Sequence, residues 1–275
     1  MTGSTTATEP PILLEKVSDG VALITLNRPG QRNAMNRAAR LGLVRALESC
    51  RGWAKVVVLT GSGPAFCAGV DLKEPMADRV VGEDDERDVR QSTWGRVQDE
   101  LRAHPAIVVA AVNGIAMGGG VTLINSADLA FASTDARISM PEIGFGLYPS
   151  MAGPSTQLRL PAKRAAWMVL TAQPIDGRTA TEWGLVNEAV APEQLMPTAL
   201  ATAERIAGFD AVGLTASKRA LWHIPAHVSD YGEALEYGES VGVRIRSQSD
   251  AVAQGVAKFA AGERSAGQGR PKEAE

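Results

Sequence analysis

The chain has little that would cross-link it, hold it in a membrane or draw it to nucleic acid. Its two cysteines, Cys50 and Cys67, show neither metal nor redox spacing and make no disulfide framework. No apolar run approaches the ~18 residues of a membrane span. The opening MTGSTTATEPP has no basic region and no apolar stretch, so no signal peptide is read there and a cytoplasmic protein is expected. Basic charge is not in excess: a net charge of -3 does not supply the positive face that a nucleic-acid partner requires. His104, His223 and His227 do not cluster at ligand spacing, so no metal is expected. No serine sits in a G-x-S-x-G elbow, which leaves a Ser-His-Asp hydrolase without its nucleophile.

What the sequence does have is apolar content and alternation. Hydrophobic residues make up 45% of the 275 residues, enough for a sizeable core, with Ala, Val and Gly plentiful and aromatics at only 5%. Val21-Ala-Leu-Ile-Thr-Leu26 reads as a buried strand closed by Asn27-Arg28-Pro29-Gly30. Residues 36–49 read as a helix with Leu41, Val44 and Leu47 on one face, and Lys55–Thr60 as a second strand stopped by Gly61-Ser-Gly-Pro64. The charge run 82–90 reads as a solvated loop, followed by a helix with Trp94, Val97 and Leu101 in register. Ile107–Val112 and Leu129–Ser133 are further strands, and from about residue 161 the chain reads mainly helical. Strand-plus-helix units followed by helices alone predict an α/β fold, a spiral sheet core with a helical C-terminal segment.

Two glycine-containing turns carry the chemistry. One is Ala65-Phe-Cys-Ala-Gly-Val-Asp-Leu72, and the other is Gly114-Ile-Ala-Met-Gly-Gly-Gly120, which opens a helix. Glycine admits positive φ and close approach of a ligand, and free N–H groups at a helix start favour developing negative charge. Two such turns face to face would make a two-donor oxyanion hole. The same residues fit tight packing or a nucleotide site, but G-x-G-x-x-G is absent and no P-loop lysine follows.

Order and flanks sharpen that reading. Asn27-Arg28-Pro29 with Asn33-Ala34-Met35, Phe66-Cys-Ala-Gly-Val-Asp71, Ala111-Val-Asn-Gly-Ile-Ala-Met-Gly-Gly-Gly120, Ala127-Asp128-Leu-Ala and Met140-Pro141-Glu142-Ile143-Gly-Phe-Gly146 occur in succession. With Leu170-Thr171, the Ala-x-x-x-Gly-Leu-Val run ending at Val186 and a C-terminus reaching Phe259, this series resembles the crotonase superfamily of enoyl-CoA hydratases and isomerases over residues 11–262. The resemblance implies a crotonase-like spiral of repeated ββα units and an acyl-CoA thioester as substrate, with coenzyme A part of the substrate and no separate cofactor. It implies oxyanion donors at Val70 and Gly119, and substrate contacts at Gln31, Arg32, Cys67, Ala68, Asp71 and Leu72. It further implies a homotrimer or a dimer of trimers. The expected organisation is a disordered tail (1–10), a core carrying the site (11–198), a helical trimerisation segment (199–262) and a mobile tail (263–275). Where many relatives carry a lysine for a CoA phosphate this chain has Gly262, with Arg264 nearby as a substitute.

The acid–base groups depart from the hydratase pattern. Of the two glutamates that hydratases of the family use, the second is present as Glu142 and the first is replaced by Thr122. A hydroxyl can hold water but accepts no proton near neutral pH. Thr122 and Tyr148 are read as lining the acyl pocket, and the loop after Glu142 runs Pro149-Ser-Met-Ala-Gly153. Hydration shares its proton transfers between two carboxylates, whereas double-bond migration needs one base. Three readings stay open: an enoyl-CoA hydratase or isomerase with Glu142 as single acid/base, a non-catalytic acyl-CoA-binding protein, and an unrelated nucleotide-binding α/β protein.

Overall fold

The computed structural model describes residues 9–74 and 93–263. The charge run 82–90, Arg264, and nearly all of both expected tails lie outside the described residues.

Two sheets organise the chain. The larger has strand order β1 (Ile12–Ser18), β2 (Val21–Leu26), β3 (Val56–Gly61), β5 (Ile107–Val112), β7 (Leu129–Ser133) and β9 (Glu188–Val190). Only the β1–β2 pair is antiparallel. The smaller is a parallel sheet of β4 (Ala65–Cys67), β6 (Ile115–Met117) and β8 (Arg137–Ser139), with β6 in the centre. Each of β3, β5 and β7 is thus followed within a few residues by a partner strand in the other sheet, and then by a helix. This is the ββα spiral, and Ala65–Cys67 and Ile115–Met117, which the sequence presents as parts of the glycine turns, are short second strands. Three-residue strands leave almost no periodic signal in a sequence.

The long strands read as continuous apolar runs because both faces of the larger sheet are covered. Val57, Leu59, Val108, Ala110 and Val112 face the main core, shared with α1 (Arg37–Cys50) and α2 (Thr93–Ala103). Their neighbours Val56, Val58, Ile107, Val109 and Ala111 face a second core, closed by Leu195, Ala199, Ala203 and Ala207 of a later helix. In α1 the buried stripe is Ala39, Leu43, Val44, Leu47 and Cys50, with Leu41 only half-buried, so the expected face is rotated by part of a turn. Asn36 caps this helix by accepting from Ala39 N–H at 2.9 Å.

After β6 the chain forms α3 (Gly119–Ser126), and after β8 it forms α4 (Ala152–Gln157), α5 (Ala162–Thr171) and α6 (Gly177–Trp183). Strand β9 interrupts what the sequence presents as helix, held by pairing with β7. Next come α7 (Leu195–Ala207), α8 (Ala211–His227), α9 (Tyr231–Gln248) and α10 (Ala251–Ala260). The expected division at 198/199 falls inside α7, whose alanines are the second core's cover. In α9 and α10 no residue is buried, and Leu235, Val243, Val252, Val256 and Phe259 are exposed.

A buried ion pair ties α8 to the sheet. Lys218 Nζ lies 2.8 Å from Asp128 and donates to the carbonyls of Leu101 and Ala106 at 2.9 Å. Asp128 also accepts from Val108 N–H and from the Trp222 indole, each at 2.8 Å. Replacing Asp128 by Ala strands the ammonium in the interior, so thermal or urea unfolding should show a loss of about 3–5 kcal/mol. A loss below the error of the measurement would mean that the pair contributes nothing to holding α8.

Candidate active site

Parallel pairing sends the chain out of β4, β6 and β8 at the same edge of the small sheet. Cys67 pairs with Ala116, Ala116 with Ile138, and Met117 with Ser139. The segments that follow, Ala68-Gly69-Val70, Gly118-Gly119 and Met140-Pro141-Glu142, therefore emerge side by side. Ligands of parallel α/β sheets characteristically sit beyond such carboxyl ends.

Two asparagines fix the way in. Asn33 donates to the carbonyls of Ser62 (2.9 Å) and Ala65 (2.7 Å) and accepts from Arg28 N–H at 2.8 Å, which locks the Asn-Arg-Pro turn against the start of β4. Asn113 accepts from Gly61 N–H at 3.1 Å and donates to the Gly63 carbonyl at 2.9 Å. Residues 31–35 then run alongside the first glycine turn: Ala68 N–H donates to Arg32 and Met35 N–H to Gly69. Gln31 and Arg32 are exposed there, Arg32 with a left-handed φ of 51°.

The Met35–Val70 bridge uses the carbonyl of Gly69 and the N–H of Asp71, and leaves the N–H of Val70 out of the ladder. At the second turn Gly118 N–H donates to Ser139 and Thr122 N–H to Gly118, while Gly119 N–H opens α3 with no acceptor among the described residues. The turns touch: a β-carbon on Gly69 would lie 3.1 Å from Gly119 N and 2.7 Å from the Met117 carbonyl. Gly69 also has φ +89°, so both backbone angle and space require glycine there.

Glu142 lies in a 3-10 turn, Pro141–Phe145, and its carboxylate rests on Gly118, where a β-carbon would be 2.5 Å from Oε1. Its Oε2 is buried with no hydrogen-bond partner among the described residues. Burial raises the carboxyl above the ordinary carboxylate range. Ile143, Phe145, Leu147 and Tyr148 are exposed apolar side chains in the turn and the loop that follows it.

The other expected residues divide. Asp71 is buried and paired with Arg28 at 2.9 Å, an engagement that shapes the turn. Cys67 turns its thiol into the core, where burial pushes it up to about 12, so it stays protonated and inert. Ala68 is half-buried and Leu72 exposed at the turn's outer side. Thr122 is fully buried, one helical turn from the Gly118 carbonyl. Tyr148 is half exposed, accepts from Gln157 at 2.6 Å, and lies over Gly153, where a β-carbon would be 2.7 Å from its ring. His104 is buried beside the Leu47 carbonyl, and His223 stacks on Tyr237 at 4.4 Å. Sequence reasoning missed the contact of Trp94 with Gly119: a β-carbon there would lie 2.5 Å from Cη2 and 2.7 Å from Cζ2 of the indole. Trp94 carried only a helix-register signal.

The fold defines a crotonase-type α/β protein, with its two glycine turns in contact and the Glu142 carboxylate against Gly118. The sequence model described as enoyl-CoA hydratase/isomerase matches residues 16–260. The chain is 36% identical over 204 residues to the 2,3-dehydroadipyl-CoA hydratase of Escherichia coli (strain K12), covering 73% of this chain and 78% of that one. It is 35% identical over 221 residues to a probable enoyl-CoA hydratase of Rhizobium meliloti (strain 1021), covering 76% and 80%. Its structure is similar to that of an enoyl-CoA hydratase of Mycobacterium smegmatis, with a TM-score of 0.83, 28% identity, and 93% and 98% of the two chains covered. It is also similar to a monofunctional enoyl-CoA isomerase of M. smegmatis, with a TM-score of 0.69, 30% identity, and 81% and 97% covered. The chain belongs to the enoyl-CoA hydratase/isomerase family.

The burial of Glu142 has a consequence for stability. A carboxyl raised in the folded state binds its proton more tightly there than in the unfolded chain, so ionising it costs stability as pH rises. Glu142→Gln should therefore melt higher than the parent at neutral pH, with the gain shrinking as pH falls through the ordinary carboxylate range. Melting curves that show no gain, or a gain independent of pH, would contradict the burial.

Proposed function

We propose that the protein acts on 2-enoyl or 3-enoyl coenzyme A thioesters through an enolate. Its charge is held by the main-chain N–H groups of Val70 and Gly119, with Glu142 as the single acid/base. The reading is supported by one observation: the two glycine turns touch, their Val70 and Gly119 N–H groups have no acceptor among the described residues, and the Glu142 carboxylate rests on Gly118. As the C2 proton leaves, its electron pair moves onto the thioester oxygen. Donors aimed at that oxygen stabilise the charge as it develops, and each is worth about 10²–10³ in rate. Glu142 accepts the proton, and its desolvation raises its basicity towards the operating pH. Returning the proton to C4 moves the double bond. Adding water at C3 instead requires a second proton acceptor, and Thr122 offers only a buried hydroxyl one helical turn from the Gly118 carbonyl. Double-bond migration is therefore favoured over fast hydration.

The substrate's coenzyme A would run past Gln31, Arg32, Ala68 and Leu72, which border the first turn. The exposed apolar residues of α9 and α10 fit a homotrimer or a dimer of trimers, and sedimentation showing a monomer at micromolar concentration would remove that assembly.

Incubation with crotonyl-CoA and with a 3-enoyl-CoA, followed by mass spectrometry, separates the reactions. Glu142→Gln should lower turnover by about 10²–10⁴ while acyl-CoA binding persists. Unchanged turnover would remove Glu142 from the mechanism. Tight binding without conversion of either thioester would instead support an acyl-CoA-binding protein, the reading that the Thr122 replacement favours.

A further inference from the structure

Arg40 stands one turn into α1 with no exposed surface, and the side chain of its partner Glu74 is nearly as deeply buried. A helix that needed only packing there would take leucine or methionine, since exchanging a buried ion pair for apolar side chains is often neutral or stabilising. What the guanidinium adds is direction. Its planar fork of N–H donors reaches several acceptors at once and holds them in a fixed relation.

Those acceptors lie on both sides of the candidate site. Nη1 donates to the Met35 carbonyl at 2.7 Å and pairs with Glu74 at 3.1 Å, and Nε donates to the Thr93 hydroxyl at 2.6 Å. Met35 brackets Val70: its N–H donates to the Gly69 carbonyl at 2.7 Å, and its own carbonyl accepts from Asp71 N–H at 3.4 Å. Arg40 thus donates to the same oxygen that holds the far side of the first turn. Glu74 continues that turn, with its N–H on the Asp71 carbonyl at 3.1 Å and its carboxylate accepting from Arg37 N–H. Thr93 opens α2, and the next residue, Trp94, sets its indole edge against Gly119. One buried side chain therefore grips the segment beside the Val70 donor and the helix that backs the Gly119 donor.

We propose that Arg40 is a positioning residue of the oxyanion hole, fixing the spacing of the Val70 and Gly119 N–H groups by tying the first glycine turn to the start of α2. This rests on the enolate reading above. Arg40 touches no substrate and moves no proton. Two donors act together only while both lie at hydrogen-bond distance from the oxygen that becomes charged. A loosened tie therefore costs the enolate more than it costs the bound thioester.

Steady-state kinetics on the parent and on Arg40→Met, with crotonyl-CoA and a 3-enoyl-CoA, test this at a temperature where both are folded. Arg40→Met should lower kcat about tenfold to a hundredfold, part of what one donor is worth, with KM within about threefold. A second readout is the ultraviolet absorption of bound acetoacetyl-CoA, whose enolate absorbs where its keto form does not. The parent should hold a larger enolate fraction than Arg40→Met. A purely structural role predicts a lower melting temperature with kcat and enolate fraction unchanged, and that result would overturn the proposal, as would a rise in KM alone. If Arg40→Met does not fold, Thr93→Val takes its place, because it deletes only the bond to α2. It should lower kcat and the enolate fraction about threefold to tenfold, the scale of one hydrogen bond, and unchanged values overturn the proposal. A parent that converts neither thioester and forms no enolate would sink the enolate reading itself and this inference with it.

Discussion

The parallel pairing of three very short strands is the constraint on which the site depends. With β6 between β4 and β8, the chain must leave all three at one edge. Three segments distant in sequence, around residues 69, 118 and 142, become neighbours with no side-chain contact needed to bring them together. Main-chain hydrogen bonds fix the register, and a slip of one residue would turn Met117 and Gly118 to the wrong side. The larger sheet serves this arrangement by returning the chain to the same level after each helix.

Close approach at that edge accounts for the glycines. Gly69 has a backbone angle that side-chain-bearing residues avoid, and Gly118 lies against the Glu142 carboxylate. The spaces where β-carbons would stand hold a neighbouring turn, a carboxylate and an indole edge. Among the described residues the Trp94 indole N–H and Glu142 Oε2 are left there without partners, which a core built for stability alone would not tolerate. Their cost is sustained by the surroundings: two apolar cores, the asparagine clamps on the β3–β4 turn, and the Lys218–Asp128 pair beneath α8.

Much of this was legible in the sequence. The strands Val21–Leu26, Ile107–Val112 and Leu129–Ser133 have the bounds that their apolar runs predict, because strands covered on both faces show as nearly continuous apolar runs. Trp94, Val97 and Leu101 fall on the buried face of one helix, as their spacing requires. The short strands β4, β6 and β8 did not show, since three residues cannot display a period. Nor did β9, whose extended form depends on β7 beside it. The helical face of α1 was misjudged because Leu41 and Leu43 are equally apolar and only packing distinguishes them.

By itself the sequence determined the residue types: glycines where no side chain fits, a Pro-Glu dipeptide, a threonine in place of a carboxylate, and the apolar runs that form the large sheet. These follow from composition and local spacing, which act over a few residues. The tertiary structure alone decided which groups meet. It set Glu142 on Gly118, Trp94 on Gly119, Asp71 on Arg28 and the Cys67 thiol in the core. Burial, proton affinity and an unmet hydrogen bond depend on neighbours distant along the chain, and a linear order carries no record of them.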